Sequence, residues 1–144
     1  MNDSTIVQIP DFGSLDKVVR KIGIEALAGR DNGVPVLTVT VKRIKFVAVV
    51  HNQCLKLMYR WTEDDFPGGV VFANQWNMLN LMGTLIPMTD GFVIKHESLA
   101  THGLLAGNLR DTLISFAAAV DKFQDEWIAA SSLSVEVTES SDLF

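Results

Sequence analysis

One cysteine stands in the whole chain, Cys54. A single thiol excludes an intrachain disulfide and a multi-cysteine metal site, and it points to a reducing, cytoplasmic setting. Cys54 reads as a small strand residue rather than a reactive thiol, since free cysteine usually behaves as a small buried hydrophobe. Basic charge is scarce too: 12 Lys and Arg face 17 Asp and Glu, for a net charge of −5. That balance argues against nucleic acid, whose affinity rests on clustered cations. The densest basic run, VKRIK from Val41 to Lys45, lies between apolar strands and reads as strand and turn. No apolar stretch approaches the ~20 residues needed to cross a bilayer. The opening MNDSTIVQIP has neither a basic n-region nor a long apolar run, so no signal peptide is expected.

Catalytic signatures are missing as well. No G-x-S-x-G gives Ser98 the context of a nucleophile. GLLAG, Gly103 to Gly107, lacks the lysine of a phosphate loop and reads as a flexible approach to a helix. His51, His96 and His102 are not spaced as a helical zinc motif. His96 beside Glu97 would suit proton transfer, but adjacent strand residues point to opposite faces. Asp64 and Asp65 on a loop, and Asp121, Asp125 and Glu126 on a polar helix face, read as solvated surface. No residue is therefore assigned to catalysis, to a metal or to a cofactor.

What is present is enough for one globular domain. A chain of 144 residues, 48% hydrophobic and 20% charged, can bury roughly 70% of its unfolded surface. Residues 1–13 form an irregular arm with Pro10 and Gly13, residues 14–130 the domain, and residues 131–144 an acidic, serine-rich tail expected to be flexible unless it docks. The first helix is expected after a Ser14 cap, with Leu15, Val18, Val19 and Ile22 as its stripe and Gly23 at its end. GRDNG, Gly29 to Gly33, is a loop by composition. Three strands follow. With turns at Lys42-Arg43 and Asn52-Gln53, one face collects Leu37, Val39, Val41, Ile44, Phe46, Ala48, Val50, Leu55, Leu57, Tyr59 and Trp61. The other mixes Val36, Thr38, Thr40, Val47, Val49 and Met58 with Lys45, Lys56 and Arg60. A one-residue slip would exchange the faces, so the pattern selects this register.

FANQWNMLNLMG, Phe72 to Gly83, is expected as the second helix. Phe72, Trp76 and Leu79 share one side, while Asn74 points the other way with Met78 and Leu81 beside it. A hairpin with an Asp90-Gly91 turn comes next, and Pro87 puts its first strand at a sheet edge. Periodicity does not decide which face of Phe92 to Ser98 points inward. The last helix is expected from a cap at Asn108 with Asp111, its stripe running Leu109, Leu113, Phe116, Val120, Phe123, Trp127. The order α-β-β-β-α-β-β-α gives an α+β fold, an antiparallel sheet of about five strands with helices on one face.

FANQWN, DGFVIKHES and GLLAGNLRDTLISFAAAVDKFQDEW together resemble the bacterial YbjN family, also described as sensory transduction regulators. The resemblance covers roughly Leu15 to Ala130. It implies a fold similar to type III secretion chaperones, small α+β proteins that usually pair as dimers, and it implies no catalytic residues. Asn74, Trp76 and Asn77 match the family's helix pattern and are read as fold determinants. The function expected is that of a non-enzymatic bacterial regulator or chaperone-like protein, cytoplasmic and dimeric, binding another protein and neither nucleic acid nor membrane. The alternative is a small-molecule sensor or an enzyme with a pocket near His96, His102 and the second helix. The candidate partner-binding residues are Val47, Val49 and Met58 on the mixed sheet face, an apolar centre with a polar rim, or failing that Met78 and Leu81, a second apolar surface on the second helix.

Overall fold

The computed structural model describes the backbone of residues 1–142 and side chains as far as residue 132. A two-residue strand, β1 (Ile6–Val7), precedes helix α1 (Phe12–Lys21). The cap of α1 is Asp11 rather than Ser14: its carboxylate accepts the Ser14 N–H at 2.8 Å and the Ser14 hydroxyl at 2.9 Å. Leu15, Val18 and Val19 are buried, as their spacing requires.

Four strands follow where three were expected: β2 (Glu25–Asp31), β3 (Val34–Val41), β4 (Ile44–His51) and β5 (Cys54–Thr62). Gly29 to Gly33, expected as a loop, is the end of the β2–β3 hairpin, with Asn32 (φ 51°) and Gly33 (φ 81°) as its turn. Both turn residues sit in the left-handed region, where Asn and Gly are tolerated best. The β3–β4–β5 register is the one the alternation selects. Leu37 faces Ala48 and Val39 faces Phe46, while Ala48 and Val50 face Leu57 and Leu55.

Helix α2 (Val70–Leu79) leads to β6 (Thr84–Met88), β7 (Gly91–Leu99), the short β8 (Leu104–Leu105) and α3 (Ala106–Asp142). The β6–β7 turn is Thr89-Asp90, one residue earlier than expected, because Met88 already pairs with Gly91. Gly91 is needed for another reason: a Cβ there would overlap the Trp61 carbonyl oxygen on β5. Helix α3 begins at Ala106, two residues before the expected cap. Its first amides are satisfied by the N-terminal arm, Ala106 N–H donating to the Thr5 carbonyl at 2.8 Å and Gly107 N–H to that of Asp3 at 3.0 Å. The arm is thus structured, pairing β1 with β8 and burying Val7 and Ile9. The segment read as a tail from 131 carries helical backbone to Asp142. Its side chains from residue 133 and its last two residues lie outside the described residues.

The fold is α+β. A six-stranded antiparallel sheet has the order β2-β3-β4-β5-β7-β6, and β1 and β8 make a second, two-stranded sheet. Leu37, Val39, Phe46, Ala48, Leu55, Leu57, Leu85, Phe92 and Ile94 are buried on one face of the large sheet, under the helices. The expected α3 stripe, Leu109 to Trp127, is buried against them. An aromatic cluster joins the sheet to the helices, with Phe92 4.8 Å from Trp127 and 5.3 Å from Phe123, and Phe72 5.1 Å from Trp127. Edge-to-face geometry at these distances adds to the area each ring buries.

Candidate functional site

The second helix is held from several sides. Trp76 is 2% exposed and packs edge-on against Phe123 at 6.0 Å. Asn77 reaches sideways to β6, its Oδ1 accepting the Leu85 N–H at 2.8 Å and its Nδ2 donating to the Leu85 carbonyl at 3.0 Å. The amide thus occupies the place of a neighbouring strand. Asn80 closes the helix C-terminus, donating from Nδ2 to the Trp76 carbonyl at 3.0 Å, and its Oδ1 accepts Lys122 Nζ of α3 at 2.7 Å. A cation at that end also complements the helix dipole. The Trp76 indole N–H is buried without a hydrogen-bond partner among the described residues, and the Lys122 ammonium lies 5.8 Å from the ring centre. Asn77 thus ties α2 to β6, and Trp76 is buried in the core. Asn74 is exposed and makes no side-chain hydrogen bond among the described residues.

What α2 shows to solvent is largely apolar and wholly uncharged. Val70 and Val71 are exposed, Met78 is 83% exposed, Leu79 is 80% exposed, and Leu81 just beyond is bare. Leu79 was expected inward with Phe72 and Trp76. It is the last residue of the helix, where the chain already turns into extended Asn80. From Phe66 to Thr89, between Asp65 and Asp90, 24 consecutive residues (66–89) carry no Asp, Glu, Lys or Arg. That run was visible in the sequence and marks this surface. Large apolar patches are uncommon on monomeric proteins and usually meet something.

The second candidate is the sheet face without helices. Leu27, Thr38, Val47, Met58, Lys95 and Thr84 stand side by side across all six strands, with Val49, Lys56 and Glu97 in the next row. Val47 and Val49 are half-buried and Met58 is 40% exposed. Charges are interleaved with them. Lys95 bonds Glu97 at 2.8 Å, which holds the Glu97 carboxyl below its usual range, and Arg60 bonds Asp90 at 2.8 Å. The face is more polar than the α2 surface.

Residues of the alternative reading do not converge. His96 lies on the helix-covered side opposite Leu57, with Nε2 2.9 Å from Ser98 Oγ, while Glu97 lies on the open side opposite Lys56. His51, the last residue of β4, and His102, on the turn between β7 and β8, are both exposed. An open depression of about 410 Å³ at the β6 end is lined by Leu81, Gly83, Thr84, Ile86, Lys95, His96 and Glu97, without His102. Among the described residues no three His, Cys, Asp or Glu side chains are grouped to hold a metal, and no helix is long and apolar enough to cross a membrane. Comparison with family models, with curated proteins and with solved structures finds no match to this chain.

Proposed function

We propose that the protein works by binding another protein, as a non-enzymatic regulator or chaperone-like factor of the bacterial cytoplasm. The observation that carries this reading is the solvent face of α2, an apolar surface on a helix whose position is fixed by Asn77, Asn80 and Trp76. An interface that is already ordered loses little conformational freedom on binding, which favours affinity. Methionine at its centre lets the surface adapt to a partner. The similarity of FANQWN, DGFVIKHES and the last helix to the YbjN family supports the same reading, and with it a chaperone-like fold and pairing of two copies. The Val47, Val49 and Met58 face is the second surface for a partner.

Pull-down from a bacterial lysate with the parent, Met78→Asp, Leu81→Asp and Met58→Asp chains tests the proposal. Loss of the captured protein in Met78→Asp and Leu81→Asp, with Met58→Asp unaffected, is the expected result. If all three stay folded and keep every association, neither surface is the site. The ligand reading rests on the depression beside His96. A small-molecule site normally encloses most of its ligand, and this one is open. Alanine at His96, Glu97 and His102 together is expected to leave the biological phenotype intact. Loss of function in that folded triple variant would favour the pocket instead.

A further inference from the structure

The two edges of the large sheet are treated differently. At the β6 edge the Leu85 N–H and carbonyl are taken by the Asn77 amide. Pro87, two residues on and so on the same side of the strand, has no N–H to offer. A foreign strand finds no ladder to join there. At the other edge, among the described residues, β2 pairs only with β3, and six of its seven residues are exposed. The usual guards of an open edge are charged side chains, lysine above all, a proline, a bulge or a covering element. Strand EALAGRD has no proline or lysine, its charges Glu25, Arg30 and Asp31 stand at its two ends and leave Ala26 to Gly29 uncharged, and its registered pairing with β3 runs unbroken from Glu25 to Asp31. Ala26, Ala28 and Gly29 are too small to shield its backbone. Leu27, 72% exposed, projects from the middle of it on the helix-free face.

We infer that β2 is the seam at which two copies of this chain pair, edge to edge and antiparallel, about a two-fold axis through Leu27. The choice of a second copy follows from the strand's self-complementarity. A two-fold normal to the sheet keeps each residue on its own face, so opposed positions must share parity. Centred on Leu27, Leu27 meets its own copy, Ala26 meets Ala28, Glu25 meets Gly29 and Arg30 meets Ile24. No like charges are opposed. Centring on Ala26, Ala28 or Gly29 sets Leu27 against Glu25, Gly29 or Asp31, and the Ala28 centre also opposes Glu25 to Asp31. Directly opposed like charges destabilise a pair of strands, and a leucine pair stabilises it. The two six-stranded sheets become one of twelve strands, with both helix-free faces on the same side. This seam stands apart from the α2 surface proposed for the partner, so the two are separable by experiment.

Sedimentation equilibrium on the full chain is expected to give the mass of two copies for the parent and of one copy for Leu27→Lys, which opposes two ammonium groups at the axis. Partner capture through α2 should survive in Leu27→Lys. In a Cys54→Ser background, Leu27→Cys is expected to cross-link to a dimer on mild oxidation, because opposed strand residues bring their Cβ atoms to about 4.5–5.5 Å. Leu81→Cys in the same background should not. A parent that sediments as one copy, a dimer unchanged by Leu27→Lys, or cross-linking through Leu81→Cys but not Leu27→Cys would overturn the inference. Should Leu27→Lys fail to fold, the cysteine pair of variants decides.

Discussion

Replacing Asn77 by aspartate should make the stability of this protein depend on pH in a way the parent's does not. The parent amide donates to the Leu85 carbonyl and accepts from the Leu85 N–H. Each such bond contributes roughly 0.5–1.5 kcal/mol net, so the clamp is worth ~1–3 kcal/mol. Alanine removes both bonds but restores ~0.5 kcal/mol of helix propensity, leaving a loss of ~1.5 kcal/mol. For a chain of this length that lowers Tm by about 5 °C. Aspartate is isosteric. Its ionised carboxylate can still accept from the N–H, yet its second oxygen then faces the Leu85 carbonyl, acceptor against acceptor. Asn77→Asp should therefore melt below Asn77→Ala at pH 7. Protonation turns that oxygen into a donor and rebuilds the clamp. The fold thus favours the neutral acid and raises its pKa above the unfolded value of ~3.9. A raised folded pKa means the variant's stability is complete below the unfolded value and is lost as pH rises through the folded one. Urea denaturation at a series of pH values, each referred to the parent at the same pH, reads this directly. A constant deficit across pH, or none at pH 7, would refute the clamp.

Trp76→Ala should cost ~3–5 kcal/mol, since it empties a fully packed site. Trp76→Phe should cost distinctly less than most tryptophan truncations, because it also removes an unpartnered buried N–H. If thermal melts show Trp76→Ala equal to the parent, the ring is not part of the core. Gly91→Ala should be among the most damaging single changes, roughly 3–4 kcal/mol or outright insolubility, because the new Cβ meets the Trp61 carbonyl and forces β5 and β7 apart. Soluble expression with a normal melt would contradict that close approach. Asp11 carries a carboxyl lowered first by the Ser14 backbone N–H. Its contribution is therefore present above the unfolded carboxylate range and is lost as pH falls through the lowered value. The melting difference between the parent and Asp11→Ala should accordingly vanish in acid, and a difference that persists there would mean the cap does not act through its charge.

How far the sequence could be read depended on whether a feature was local. The β3–β4–β5 register was legible because each strand alternates, and parity leaves a single arrangement that buries one face. The α3 stripe was legible from its spacing alone. Strand β2 was not, since EALAGRD has alanine and glycine where strands favour branched or aromatic side chains, and β3 supplies its ladder. The Asn32-Gly33 pair was the available signal, and weighing it as a hairpin turn rather than loop composition would have found the strand. The α3 cap was illegible for a different reason: Asp3 and Thr5 close a helix that begins about 100 residues later. Asn77 carried a visible polar signal, but its partner on β6 follows from tertiary packing.

The surface proposed for a partner has the same origin as the clamp. A surface helix ordinarily turns apolar residues inward and polar ones outward. In α2 the inward face is Ala73 and Trp76 with half-buried Phe72, and the amides of Asn77 and Asn80 at its flanks bond to β6 and α3. Polar groups that would otherwise face water are thus used to fasten the helix. Val70, Val71, Met78 and Leu79 remain for the outer side, diluted by the exposed amides of Asn74, Gln75 and Asn77. None of these amides carries charge, so covering them has no ionic desolvation cost, which is of several kcal/mol per ion. That is why the α2 surface supports partner capture better than the Val47 and Met58 face, where Lys45, Lys56, Arg60 and Lys95 would have to keep their water or find counter-charges.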